Sequence, residues 1–234
     1  SEASLAAIGQ KAKEYGIRMS LHTPYFISLS SVEEEKRLKR EACLNERQIA
    51  AIRNLNRYIE ESDRTYNRLI DEGIHVVTFI DREFPERLVN IPQSPAVLYV
   101  RSNLPPDNMP SVAIVGSRAA TNYGISMAEF ISENLAKEGV SIISGMALGI
   151  DGAAHRGALK GQDSCTYAVL GAGINICYPK ENYFIYDSLA DGSRGGLISE
   201  VAPGISPLKS NFPMRNRIIS GLSDIVIVIE ARER

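Results

Sequence analysis

The chain has 234 residues, a formal net charge of −2 at pH 7, 44% apolar and 23% charged residues. That is enough for one large domain with a small appendage, and the near-neutral balance excludes a body that is basic throughout. Any nucleic-acid site must be a local basic patch, so composition alone speaks mildly against one. Cys43, Cys165 and Cys177 are odd in number and lack CxxC spacing, which predicts neither a disulfide framework nor a zinc ribbon and fits a reduced cytoplasmic compartment. There is no secretory pattern at the N-terminus, and no run approaches the about 18 apolar residues of a membrane span.

Taken in chain order, residues 1–40 form an uncertain segment with a strand-like run at Ile17–Leu21 and a charged helical run at Val32–Arg40. Residues 41–72 read as helical, with Ile49, Ile52, Leu55 and Ile59 at helical spacing, Asn45 placed as an N-cap and Gly73 as a C-cap. Strands are expected at Ile74–Phe79 and Ala96–Val100, with Pro85, Pro92 and Pro95 between them.

From Ser111 the pattern becomes regular. Apolar runs at Val112–Val115, Val140–Ile143, Tyr167–Leu170, Leu197–Ile198 and Ile225–Ile229 alternate with helical stretches near Gly124–Lys137 and Ala153–Leu159. Strands apolar on both faces, alternating with helices, predict an α/β fold with a doubly wound, mostly parallel sheet. The domain is expected over 73–234.

Ligands of such sheets bind outside the carboxyl ends of the strands. The turns there are Gly116-Ser117-Arg118, Ser144-Gly145 through Asp151, Gly171-Ala172-Gly173 through Asn182, and a long loop from Pro203 to Pro213. Glycine and serine let backbone N–H groups approach an anion, and helix N-termini add positive potential. Arg118, Lys180, Lys209, Arg215 and Arg217 fall on this one edge, which makes it a candidate phosphate-binding edge. Glu200 is placed as an ion-pair partner for that basic loop. Asp151 reads either as a helix N-cap or as a functional acid, and His155 as a packing residue.

Catalytic signatures are missing. No GxSxG elbow, Ser-His-Asp or Cys-His arrangement, or Walker sequence is present, and Ile176 stands where the third glycine of GxGxxG belongs. The chain therefore reads as non-catalytic, with no cofactor and no metal.

Four motifs resemble the DNA-processing protein A (DprA, or Smf) family: GSRAATNYG from Gly116, SGMALGIDGAAHRGAL from Ser144, AVLGAGINICYPKEN from Ala168, and GGLISEVAPG with NFPMRNRIISGLS from Gly195. The resemblance, over about 44–230, implies a Rossmann-like domain that binds single-stranded DNA without marked sequence preference. It implies delivery of strands to the RecA recombinase, notably in natural transformation, and a homodimer. The family's DNA pocket maps onto Gly116, Ser117, Arg118, Ser144, Gly145, Lys180, Asn182, Tyr183, Arg215, Asn216 and Arg217. Tyr178, Tyr183 or Phe184 would stack bases there. The family adds a further helix and strand after the last strand here, carrying much of its dimer and recombinase contacts, so the domain reads as cut short.

Residues 9–37 resemble instead a fragment of endonuclease IV, in which His22 would match a zinc ligand, although one ligand makes no site. Two other readings stand beside the leading one. One is a Rossmann-like enzyme acting on nucleotide phosphates, whose PGGxGT motif is missing here. The other is an engineered chimera without a selected function.

Overall fold

The computed structural model describes residues 55–161 and 164–231. The segments at 1–40 and 41–54, including the endonuclease-like stretch and His22, lie outside them. The chain divides into two units at Asp71/Glu72. Of the first, the described part is helix α1 (Leu55–Asp71), which carries Arg68 in its last turn, where a cation suits the helix dipole. Gly73 follows at φ +71°, the left-handed conformation expected just after a helix end.

The second unit is built on one seven-stranded sheet. Its strands are β1 (Ile74–Thr78), β2 (Val97–Ser102), β3 (Ser111–Gly116), β4 (Ser141–Ser144), β5 (Thr166–Leu170), β6 (Gly195–Ser199) and β7 (Ile225–Ile229), in the order β1-β2-β6-β5-β4-β3-β7. Strands β6, β5, β4, β3 and β7 pair in parallel, whereas β2 pairs antiparallel with both β6 and β1. The mostly parallel α/β fold is therefore as the apolar runs predict. The antiparallel β1–β2 extension was not legible, because alternation within a strand does not specify its neighbour's direction.

Helices α2 (Glu86–Val89), α3 (Asn122–Lys137), α4 (Ile150–Ala158), α5 (Tyr183–Ala190) and α6 (Asn211–Gly221) connect or cover the strands. On one face Ala113, Ile143, Val169 and Ile198 pack with Leu88 of α2 and with Ile218 and Ile219 of α6. On the other, Val112, Ile114 and Ile142 pack with Ala128 of α3 and Ala153 and Ala154 of α4. Central strands β4, β5 and β6 are buried at every position because both of their faces are covered. Edge strand β7 leaves Ile225, Val226 and Val228 about half exposed.

Two helices differ from the expected loops. The stretch from Lys180 is a short 3-10 turn running into α5, and the C-terminal part of the Pro203–Pro213 loop is the first turn of α6. Pro213 is the third residue of that helix, where its missing N–H costs no intrahelical bond. Helix α4 starts at Ile150, earlier than the periodicity suggests, and its N-cap is Gly149.

The chain path positions the site. From β3 the chain winds outward through α3, β4, α4, β5, α5 and β6, then returns through α6 to lay β7 on the opposite flank of β3. The reversal makes a topological switch point between β3 and β7, where open α/β sheets form a crevice at their carboxyl edge.

Two positions show how tightly the sheet is set. Gly195, at φ +131°, begins β6, and a Cβ there would run into the backbone carbonyl of Thr166 on β5. Gly195→Ala should lower the unfolding free energy by about 1–3 kcal/mol from backbone strain alone, read as a fall in the urea midpoint. An unchanged midpoint would show that the sheet tolerates a side chain there.

His155 on α4 is fully buried, as expected of a packing residue. The Thr166 hydroxyl donates to the Ile142 carbonyl (2.7 Å), so His155 Nδ1–H must donate to Thr166 Oγ1 (2.8 Å). That tautomer leaves Nε2 bare and buried without a partner. Burial, with the nearby Arg215 and Arg156 charges, lowers its pKa from 6.5 to about 3. The folded imidazole stays neutral while the unfolded one protonates below 6.5, so stability is complete above that pH and declines as pH falls toward 3. From pH 7 to pH 5 this group should cost about 2 kcal/mol. His155→Asn, which keeps a donor for Thr166, should show a correspondingly smaller loss in urea titrations at the two pH values.

Candidate nucleic-acid interface

At the switch point the ends of β3 and β7, the first turn of α4 and one side of α6 enclose a cavity of about 660 Å³. Gly116, Ser117 and Arg118 line it from the β3 turn, and Arg215, Asn216 and Arg217 from α6. Six of the eleven residues expected at the site thus meet around one cavity. The other five are placed differently. Ser144 is fully buried and its hydroxyl donates to the Ile114 carbonyl (2.6 Å), joining β4 to β3. Asn182 is buried and donates to the Met146 and Ala147 carbonyls, both at 3.0 Å, bracing the turn before α4. The Gly145 carbonyl accepts from Arg215. Lys180 and Tyr183 stand exposed on the turn leading into α5, outside the cavity lining.

The cationic residues differ in what holds them. Arg215 is 5% exposed, and its Nη1 donates to the carbonyls of Gly145 (2.7 Å) and Val169. Its guanidinium lies so close to Gly145 that a Cβ there would be 2.5 Å away. Burial is the main reason its pKa falls to about 10. Asp151 opposes that fall and Arg118 adds to it. Arg215 remains a cation at neutral pH. Arg217 pairs with Glu200 (2.6 Å), the partner expected for the basic loop, and donates to the Gln93 carbonyl (2.8 Å). By contrast, the exposed heads of Arg118, Lys180 and Lys209 have no carboxylate partner among the described residues.

Two acids occupy the N-termini of α3 and α4, where a phosphate could otherwise be held. Asp151 lies in the first turn of α4, not at its N-cap, and is buried at the cavity floor. Burial raises its pKa, while Arg215 and the backbone N–H groups of Ala147, Gly116 and Gly145 act in the opposite direction. The N–H groups of these glycine-rich turns therefore already face an internal carboxyl. At α3 the Glu230 carboxylate accepts from the Thr121 N–H (2.8 Å) and from its hydroxyl. Thr121 in turn N-caps the helix, accepting from the Gly124 N–H (3.2 Å). The starts of α3 and α4 are thus already occupied by side-chain acids.

Aromatic rings lie beside Arg118. The Arg118 guanidinium carbon lies 5.1 Å over the Phe212 ring centroid, and the Tyr178 ring follows at 5.8 Å, tilted by 43°. Lys180 is two residues beyond Tyr178. Tyr178, Tyr183 and Phe184 are about half exposed or more, so they are not core, whereas Tyr186 is buried. Phe212 was not singled out from the sequence. Only its place inside NFPMRNR could have drawn notice to it, since a lone Phe gives no periodic signal. Among the described residues no cluster of His, Cys, Asp or Glu could hold a metal, and no helix is long and apolar enough to cross a membrane.

Comparison with known proteins agrees with this architecture. The family model for DNA recombination-mediator protein A matches residues 75–234. DNA processing protein DprA of Streptococcus pneumoniae is 42% identical over 157 residues, 67% of this chain and 54% of that one. Protein Smf of Escherichia coli is 40% identical over 166 residues, 70% and 44% of the two chains. The chain spans about half the length of these curated relatives. Among solved structures, DNA processing protein A from Streptococcus pneumoniae superimposes with a TM-score of 0.64 at 35% identity, covering 87% of this chain and 72% of that one. DNA processing protein A from Helicobacter pylori, described for its unique single-stranded DNA binding mode, gives 0.59 at 28% identity over 70% and 73% of the chains. With the family model covering most of the chain, and with relatives and solved structures sharing its fold, the chain belongs to the DNA recombination-mediator protein A family.

Proposed function

We propose that this chain binds single-stranded DNA along the carboxyl edge of its sheet and acts, without catalysis of its own, as a recombination mediator. The observation that carries the reading is the sorting of charge on this edge. Arg215 and Arg217 are tied to carbonyls and to Glu200, and the starts of α3 and α4 hold acids, while the exposed heads of Arg118, Lys180 and Lys209 have no carboxylate partner among the described residues and Arg118 lies over the Phe212 ring. Cations that hold phosphates, interleaved with rings that stack any base, suit a single strand bound without sequence preference. A duplex hides its bases from such rings.

Residues 73–234 would be the DNA-binding domain, with 1–40 and 41–72 as separate appendages. Among the expected contacts, Gly116, Ser117, Arg118, Lys180 and Tyr183 face the strand, whereas Ser144, Gly145, Asn182 and Arg215 act by shaping the edge. Family membership further supports RecA as the recipient of the bound strand, natural transformation as the setting, a homodimer as the working form and the cytoplasm as the compartment.

Anisotropy of a labelled oligo-dT, titrated at two salt concentrations and competed with duplex, tests this. Salt-dependent binding that duplex competes poorly is expected. Arg118→Ala and Lys180→Ala should each weaken it and reduce the salt slope by about 0.7, the value for one single-strand phosphate contact. Unchanged affinity in both variants would remove this edge from the binding site.

A further inference from the structure

We propose that Phe212 is a positioning residue for Arg118, a support that holds the guanidinium ready for the DNA strand. The inference rests on the single-strand reading above, and three elements supply it. Phe212 is the second residue of α6 and is half-buried. Its ring lies against Gly171, the first residue after β5, where a Cβ would come within 2.8 Å of ring carbon Cδ1. Gly171 thus lets the ring seat on the end of the sheet, where any side chain would displace it. Over the seated ring lies Arg118, which comes from the turn after β3, far from Gly171 in the sequence.

Without such a support, Arg118 would be a long, exposed side chain on a turn. Arginine loses much rotamer freedom when it is fixed, and its planar head orders most cheaply when it is already stacked. Arg118 has no carboxylate to hold it among the described residues, so the Phe212 ring is the contact that confines it. Confinement leaves the N–H edge available to a phosphate. The Tyr178 ring, about half exposed, lies 5.8 Å from Phe212 and extends the aromatic surface of which the Phe212 ring is part. Lysine at 118 would not substitute, because it has no planar head to stack.

The test is binding of labelled oligo-dT to the whole chain carrying Phe212→Met, Phe212→Tyr, Arg118→Ala, or Arg118→Ala with Phe212→Met. Methionine keeps the apolar contact with the Gly171 turn but offers no ring face; Phe212→Leu serves if the Met variant is unstable. Phe212→Met should weaken binding about twofold to fivefold, the equivalent of about 0.5–1 kcal/mol of cation–π contact, and should lower the salt slope in the same direction as Arg118→Ala. Phe212→Tyr should bind as the unaltered chain does. In the double variant the Met substitution should add almost nothing to the loss from Arg118→Ala. Full additivity would overturn the proposal, since Phe212 would then act on the strand by itself. So would a weakened Phe212→Met with an unchanged salt slope, or normal binding by that variant. If the unaltered chain failed to bind oligo-dT, the single-strand reading would fall as well.

Discussion

A guanidinium without solvent is costly unless its N–H groups are satisfied, and Arg215 satisfies them with the backbone. By donating to the carbonyls of Gly145 and Val169, it fastens the second turn of α6 to the ends of β4 and β5. Those carbonyls close two adjacent strands of the sheet, so one side chain determines where α6 crosses the carboxyl edge. Phe212, Asn216 and Arg217 are carried to the edge by the same helix, and Arg118 rests on one of them. Breaking this attachment would leave a buried charge or orphaned carbonyls, either of which is far more costly than losing a surface ion pair.

The edge that results differs from a nucleotide site built on the same topology. Open α/β sheets bind a diphosphate by leaving helix N-termini and glycine amides free. Here Asp151 sits among those amides and Glu230 covers the start of α3. An anion drawn into the crevice would confront two carboxyl groups, while Arg118 at the same lining has no carboxylate partner among the described residues. The topology alone would not distinguish a compact ligand from an extended one. Asp151 and Glu230 set this edge apart from a diphosphate site.

Much of the fold was legible because it depends on local patterns. Runs such as Ile225–Ile229 and Val112–Val115 name their own strands, and Gly73 its helix end. Helix α6 was not, since Pro213 and the polar Asn211 and Asn216 disguise a helix whose apolar positions, Ile218 and Ile219, come late. At the site, charge could be read but not its commitment. Arg118, Arg215 and Arg217 look alike in sequence, yet one is exposed over a ring, one is buried on carbonyls and one is paired with Glu200. Ser144 and Asn182 look like ligand contacts because they sit in glycine-rich turns. Their partners on Ile114, Met146 and Ala147 show them to be braces of those turns. Such partners come from distant segments, which local pattern cannot supply.

The ring pair of Tyr178 and Phe212 also makes the molecule spectroscopically legible. The chain has ten tyrosines and no tryptophan, so no indole drains their excitation energy. Tyr178 emits from the edge itself, half-exposed beside Phe212. A nucleobase settling on that ring would quench it directly. The native emission of the chain therefore carries a Tyr178 component from beside Phe212, without any attached dye.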